Sequence, residues 1–228
     1  MWLFVACAAP TPVAASRPGP GDLDVPRGAL AFRFPLEERA LFQQTVGVDH
    51  DPEVHDAGLQ GVQCTSYDGR SFPWCYDEHD GTDYLLDGGF DTMDEGSAVI
   101  VAAADGVVIT TVDGNYDRCH ATLEGVDCDG YPMAANYVEV EHEGGWITRY
   151  FHMMSGSPTV RPGDVVRCGD PLGLVGSSGY SSMPHLHFEL QAAEGGVVDP
   201  YAGPYSQAET WWMDQGDAEG LPGSDCGG

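Results

Sequence analysis

Hydrophobic positions along this chain come in short runs cut by glycine, proline and acidic residues, and where they alternate they do so with period two. Val138, Val140 and His142 alternate with Glu139, Glu141 and Glu143; Gly144-Gly145 follows, then a second run from Trp146 to His152, which predicts a β-hairpin. The stretch AVIVAAADGVVITTV predicts another hairpin, two strands turning near Asp105-Gly106. VRPGDVVRCGDPLGLVG adds short strands at Gly-Asp turns. His185 to Gln191 is the last strong strand, with Leu186 and Phe188 on its core face and His185 and His187 together on the other. Past Pro204 the sequence turns Gly/Asp-rich around Trp211-Trp212, which predicts a loosely packed tail pinned by Cys226. The expected class is mainly β and antiparallel.

Composition sharpens this picture. The 228 residues, 42% hydrophobic, suffice for one sizeable core, and the 31 glycines and 16 prolines agree with many turns. A net charge of -27 with only 9 Lys and Arg excludes nucleic acid as a partner, because phosphate neutralisation needs clustered cations. The N-terminus is apolar and then Pro/Gly-rich over residues 1–30, and reads as an export leader and linker, too interrupted to span a membrane. Two readings stay open: Phe4 to Cys7 as a lipoprotein box with a lipid anchor at Cys7, or a signal-peptidase site at Val13-Ala14-Ala15. Without Cys7, six cysteines remain, which suits disulfides in an oxidising compartment. The short spacings suggest Cys64/Cys75 and Cys119/Cys128, leaving Cys168/Cys226.

The candidate chemistry lies in the histidines. His79 and Asp83 are four apart, but Asp80-Gly81 breaks a helix, so the pair is expected on a turn entering a strand. His152 ends an aromatic strand, and with His185 and His187 this makes four imidazoles and one carboxylate, a donor set suited to zinc. A zinc hydrolase keeps three protein ligands and one open position, so two of the five are free for acid–base work.

These motifs resemble the M23 zinc metallopeptidases of the lysostaphin/LytM type. HDGTD is similar to the family's H-x-G-x-D box and GSSGYSSMPHLHFEL to its G-x-x-G-x-S-x-x-P-H-L-H-F-E box. NYVEVEHEGGWITRYFHM is similar to the segment carrying Y-x-H, VRPGDVVRCGDPLGLVG to G-D-x-V-x-x-G-x-x-L-G, and Gly69-Arg70 with Pro73 to G-x-R-x-x-P. The resemblance implies an antiparallel β-sheet groove over residues 31–204; the chain departs from the family in inserted loops at about 44–68, 84–95 and 113–135, and a Gly/Asp-rich tail follows at 205–228. It implies one Zn2+ per chain held by His79, Asp83 and His187, with His152 and His185 as the catalytic pair; which of the two is the base stays open. It implies an exported, periplasmic or cell-envelope endopeptidase acting on peptidoglycan peptides, the alternative being a non-catalytic wall-binding or amidase-activating protein. In the third loop, Asp113, Asn115, Asp117 and Glu124 fall at positions 1, 3, 5 and 12 of a calcium loop, although Arg118 stands at the glycine position. His50 and His55 are candidates for a second metal or for a plain acidic loop, and His120 and His142 for structural roles.

Overall fold

The computed structural model describes residues 29–53, 63–217 and 220–227. The leader with Cys7, and His55, lie outside the described residues.

The strands are β1 (Phe42–Val46), β2 (Thr82–Leu86), β3 (Val99–Val101), β4 (Gly106–Val112), β5 (His120–Thr122), β6 (Gly125–Asp127) and β7 (Tyr137–Glu141). They continue with β8 (Ile147–Phe151), β9 (Val165–Val166), β10 (Pro171–Leu174), β11 (His185–Gln191) and β12 (Val197–Val198); one short helix, α1 (Phe90–Glu95), lies between β2 and β3. One eight-stranded sheet has the order β1-β2-β11-β8-β7-β4-β9, with β12 added to β11; β3 with β10 and β5 with β6 form two small ribbons. Strand pairing is antiparallel throughout. The fold is therefore the mainly antiparallel β architecture that the period-two pattern implies.

The hairpin of β7 and β8 is present, pairing Val138 with Tyr150 and Glu139 with Arg149. The hairpin expected at Asp105-Gly106 is not: β3 pairs with β10, whereas β4 pairs with β7 and β9. Ala102, Ala103 and Ala104 between them are buried, so the chain crosses through the core from one sheet to the other. Small side chains let the backbone pass there without displacing its neighbours.

Pleat alternation sorts the large sheet into two faces. Tyr84, Leu86, Val138, Val140, Tyr150, Leu186, Phe188 and Leu190 are buried on the core face. Against them packs the segment Phe32, Phe34 and Leu36, whose backbone is fastened by Phe32 N–H to Trp211 O (2.7 Å) and Met213 N–H to Phe32 O (2.9 Å). Phe32 stacks on Trp211 at 5.9 Å, and Trp212 lies against Phe188 at 5.6 Å. The expected loose tail is thus corrected. Trp211 and Trp212 are fully buried, because two indoles bury more apolar area than the surrounding polar residues can keep in solvent. The disulfides Cys64–Cys75, Cys119–Cys128 and Cys168–Cys226 form as the spacings suggest.

Candidate metal centre

The other face of the sheet carries the polar groups. Strand register sets His187 beside both Asp83 of β2 and Phe151 of β8, and Glu189 beside Arg149. His79 enters from the turn before β2, where its ring stacks on Tyr76 at 4.1 Å. The preceding Glu78 has a left-handed φ of 62°, held by its N–H donating to Asp49 Oδ2 at 3.0 Å. Gly81 makes room for the cluster: a Cβ there would come within 2.5 Å of the His187 ring and 2.9 Å of Phe188 O.

Three ligand atoms converge. His79 Nε2 lies 3.2 Å from Asp83 Oδ1 and 3.2 Å from His187 Nδ1, and His187 Nδ1 lies 2.8 Å from Asp83 Oδ1. A tetrahedral zinc with bonds of about 2.0–2.1 Å needs ligand atoms about 3.3 Å apart, so the triangle is of the right size. The outward nitrogens settle which lone pairs point inward. His79 Nδ1 donates to Gly47 O at 2.7 Å, and His187 Nε2 donates to Glu189 Oε1 at 3.1 Å. In their neutral forms both rings turn an unprotonated nitrogen towards the carboxylate, three acceptors facing one another, an arrangement that a cation stabilises. These residues fit a zinc ion.

The carboxylates make the triangle a seat for positive charge, where a proton on His187 Nδ1 and a cation compete for the same lone pair. Burial opposes a charge on His187, but its contacts with Asp83 and Glu189 outweigh this and push its pKa up to about 10. Burial likewise opposes ionised Asp83, yet His79, His185 and His187 around it hold its carboxyl well below the usual range. Burial opposes ionised Glu189 too, but His187 and Arg149 hold its carboxyl low; Arg149 also bonds Glu139 at 2.7 Å, making a Glu139–Arg149–Glu189 ladder across three strands. A second three-ligand grouping, Asp80 with His187 and Glu189, is explained by this outer layer, since Glu189 Oε1 already accepts from His187 and Oε2 from Arg149.

The two remaining histidines flank the triangle. His185 Nε2 is 3.5 Å from Asp83 Oδ1, while its Nδ1 donates to Met183 O at 2.7 Å. His152 would fall on the core side by strand parity with Tyr150, but its φ of 62° swings it to the opposite face, its ring 4.6 Å from that of His185. Its Nδ1 donates to Ser178 O at 2.6 Å. Burial, with His185 and His187 adding, holds its pKa well below the usual value. All five residues are thus gathered in one buried cluster.

The calcium reading fails. Asp113 Oδ1 accepts from Gly114 and Gly156 N–H, Asp117 Oδ2 accepts from Ser155 N–H, and Asn115 bonds Asn136 and Ala135. Glu124 sits on the exposed β5–β6 turn. Asp113 and Asp117 each spend an oxygen on adjacent N–H groups of the Ser155–Gly156 turn, and the three-ligand groupings among the described residues include none of these carboxylates. His50 is bonded to Asp199 Oδ2 at 2.8 Å, and His142 is buried between Asp105 O and Thr148 Oγ1. Sequence reasoning assigned no role to Glu189 or Tyr76. Glu189 is two residues from His187, on the same strand face, and period two was the signal for it; Tyr76 has none beyond its closeness to His79.

Residues 78–200, more than half of the chain, match peptidase family M23. The chain belongs to this family. Among its relatives are peptidoglycan DD-endopeptidase ShyA of Vibrio cholerae, 32% identical over 112 residues (49% of this chain, 20% of the relative), and an uncharacterized metalloprotease of Buchnera aphidicola, 42% identical over 58 residues (25% and 15%). The chain therefore matches a minor part of these relatives' lengths. A solved zinc-containing peptidase from Vibrio cholerae is similar at 24% identity with a TM-score of 0.48, covering 79% of this chain and 40% of the other.

Proposed function

We propose that this M23 member is an exported zinc endopeptidase that hydrolyses peptide bonds of bacterial peptidoglycan, in the cross-bridge or the stem peptide. The observation that carries the reading is the triangle of His79, Asp83 and His187, lone pairs inward and 2.8–3.2 Å apart, with two more histidines beside it. The naming of a similar relative as a peptidoglycan endopeptidase supports the substrate class. Three disulfides and the apolar, Pro/Gly-rich N-terminus support export.

When bound by His79, Asp83 and His187, zinc supplies Lewis acidity towards a peptide carbonyl and lowers the pKa of a water towards about 7. The chain's own part is proton handling. His152 and His185 each have Nδ1 engaged with a backbone carbonyl, which leaves Nε2 as the basic atom facing the centre. One Nε2 takes the proton of the attacking water, and the same or the other ring returns it to the leaving amine. Burial, which holds the His152 pKa low, keeps that ring neutral at rest. Tyr76, stacked on His79 and half-exposed, stands beside Asp83 and Tyr180 at the edge of the cluster.

Purified peptidoglycan should release peptide fragments whose masses identify the cleaved bond. His187→Ala is expected to lose both zinc and cleavage, whereas His185→Ala keeps zinc and loses cleavage. Full hydrolysis by His187→Ala, or a folded wild-type protein without stoichiometric zinc, defeats the proposal. Zinc binding without any cleavage would favour the non-catalytic wall-binding or amidase-activating alternative.

A further inference from the structure

We infer that the disulfide-closed hairpin β5–β6, within the enlargement between β4 and β7, is a positioning brace for His152 and His185, acting through Ser177, Ser178 and Ser181. The inference rests on the proposed role of these two histidines in proton transfer.

The loop between β10 and β11 supplies the groups that hold both rings, and its own backbone is held by the hairpin segment. Cys119 N–H donates to Ser177 O at 2.9 Å, Ser177 N–H to Asp117 O at 3.0 Å, and Ala121 N–H to Ser182 O at 2.8 Å. Side chains then carry the connection inward. Ser177 Oγ donates to Cys119 O at 2.7 Å and lies 2.8 Å from Ser181 Oγ, which lies 3.2 Å from His185 Nδ1. Met183 O accepts from both Ser181 Oγ at 2.8 Å and His185 Nδ1 at 2.7 Å, so hydroxyl and ring share one acceptor, and the Ser177 contact ties them to the hydroxyl that donates to the Cys119 carbonyl. A second arm serves His152 and joins the hairpin segment through the backbone of Ser177, which bonds Cys119 and Asp117. Ser178 O accepts its Nδ1–H, Ser178 Oγ donates to Met153 O at 2.9 Å, and Asn136 N–H donates to Ser178 Oγ at 2.9 Å.

Ser177, Ser178, Ser181 and Asn136 are fully buried, so each hydroxyl and amide must find its partner inside the protein. Both arms end on the nitrogen that fixes ring tautomer and orientation, while the opposite nitrogen faces the reacting centre. The outer anchor needs help. β5 and β6 are three residues each, and an isolated two-stranded ribbon of this kind is marginal in water. Cys119–Cys128 closes it across nine positions and so fixes the carbonyl on which the Ser177 chain terminates.

The test combines the double variant Cys119→Ser with Cys128→Ser, Ser181→Ala and Ser181→Thr, all in the full chain. Zinc content, thermal unfolding, kcat and KM on a soluble cross-linked muropeptide fraction, and imidazole nitrogen NMR are measured for each. The expected result is unchanged zinc content, with kcat lowered about tenfold or more and KM within about twofold for the double variant and for Ser181→Ala. Ser181→Thr, which restores the hydroxyl, recovers turnover. The His185 Nδ1 resonance moves in Ser181→Ala, and that of His79 stays. Unchanged kcat in the double variant, an unmoved His185 resonance, or loss of zinc together with activity each overturns the inference. If wild-type protein binds zinc but cleaves nothing, the endopeptidase reading fails, and the imidazole spectra still decide for or against the brace.

Discussion

Replacing Glu189 by glutamine removes a charge and keeps the shape. Glu189 is 5% exposed; one oxygen accepts from His187 Nε2 at 3.1 Å, and the other accepts from Arg149 at 2.9 Å and Gln191 at 3.0 Å. An amide has one acceptor atom where the carboxylate has two. With its oxygen towards His187, its NH2 opposes the donors of Arg149 and Gln191, and a charge-assisted bond worth about 1.5–3 kcal/mol is lost. Turned round, the NH2 opposes His187 Nε2–H, and the acceptor that fixes the ring's tautomer is gone. Loss of such an outer partner costs about 10–100-fold in metal affinity, which is about 1.4–2.7 kcal/mol. Both orientations also remove a negative charge beside the centre. Zinc competition against a chromophoric chelator should therefore show affinity reduced by about tenfold or more, and thermal melting should show a less stable fold. Glu141→Gln, an exposed position on β7, is the control and should change neither. If Glu189→Gln holds zinc within about twofold of wild type and melts at the wild-type temperature, the outer carboxylate does not tune the centre and the reasoning is refuted.

Gly81→Ala drives a methyl to within 2.5 Å of the His187 ring; zinc titration should show affinity lower by about tenfold or more, and wild-type affinity would contradict the packing argument. Trp211→Ala removes an indole stacked on Phe32 and packed on Trp146 at 4.4 Å, and should destabilise the fold by about 3–5 kcal/mol; a urea unfolding curve matching wild type would return residues after Pro204 to a loose tail. Burial holds His142 below its ordinary 6.5. The unfolded chain takes up that proton first, so this contribution to stability is present above about 6.5 and is lost as pH falls through the folded value. His142→Gln should flatten the drop in unfolding free energy between about pH 7 and about pH 5, and an unchanged drop would exclude His142 as its source.

Much of the sheet was readable because its central strands are half-buried. The alternation from His185 to Gln191 fixed which side chains face the core, and β11 has those limits. AVIVAAADGVVITTV misled for a physical reason. Alternation reports which face is buried but not which strand donates the hydrogen bonds, and the partners of β3 and β4 lie far away in sequence. His152 illustrates a different gap, since a left-handed residue at the end of β8 reverses the parity that period two assigns. The acidic spacing of Asp113, Asn115, Asp117 and Glu124 matched a calcium template in sequence alone, because carboxylates that accept backbone N–H groups in turns leave the same mark. Glu189 was hidden by its motif: the residue stood in view, but its task depends on the tautomer of a neighbouring ring.

The clasp of Phe32 between Trp211 and Trp212 has a consequence for the order of assembly. The first core aromatic waits for partners some 180 residues later, and the centre joins His79 to His187 across the same body of chain. Contacts of such long range close late, and they keep apolar surface uncovered while synthesis proceeds. Because the three ligand residues are brought together by closures of the same long range, metal binding would be coupled to the docking of the last tryptophans rather than independent of it.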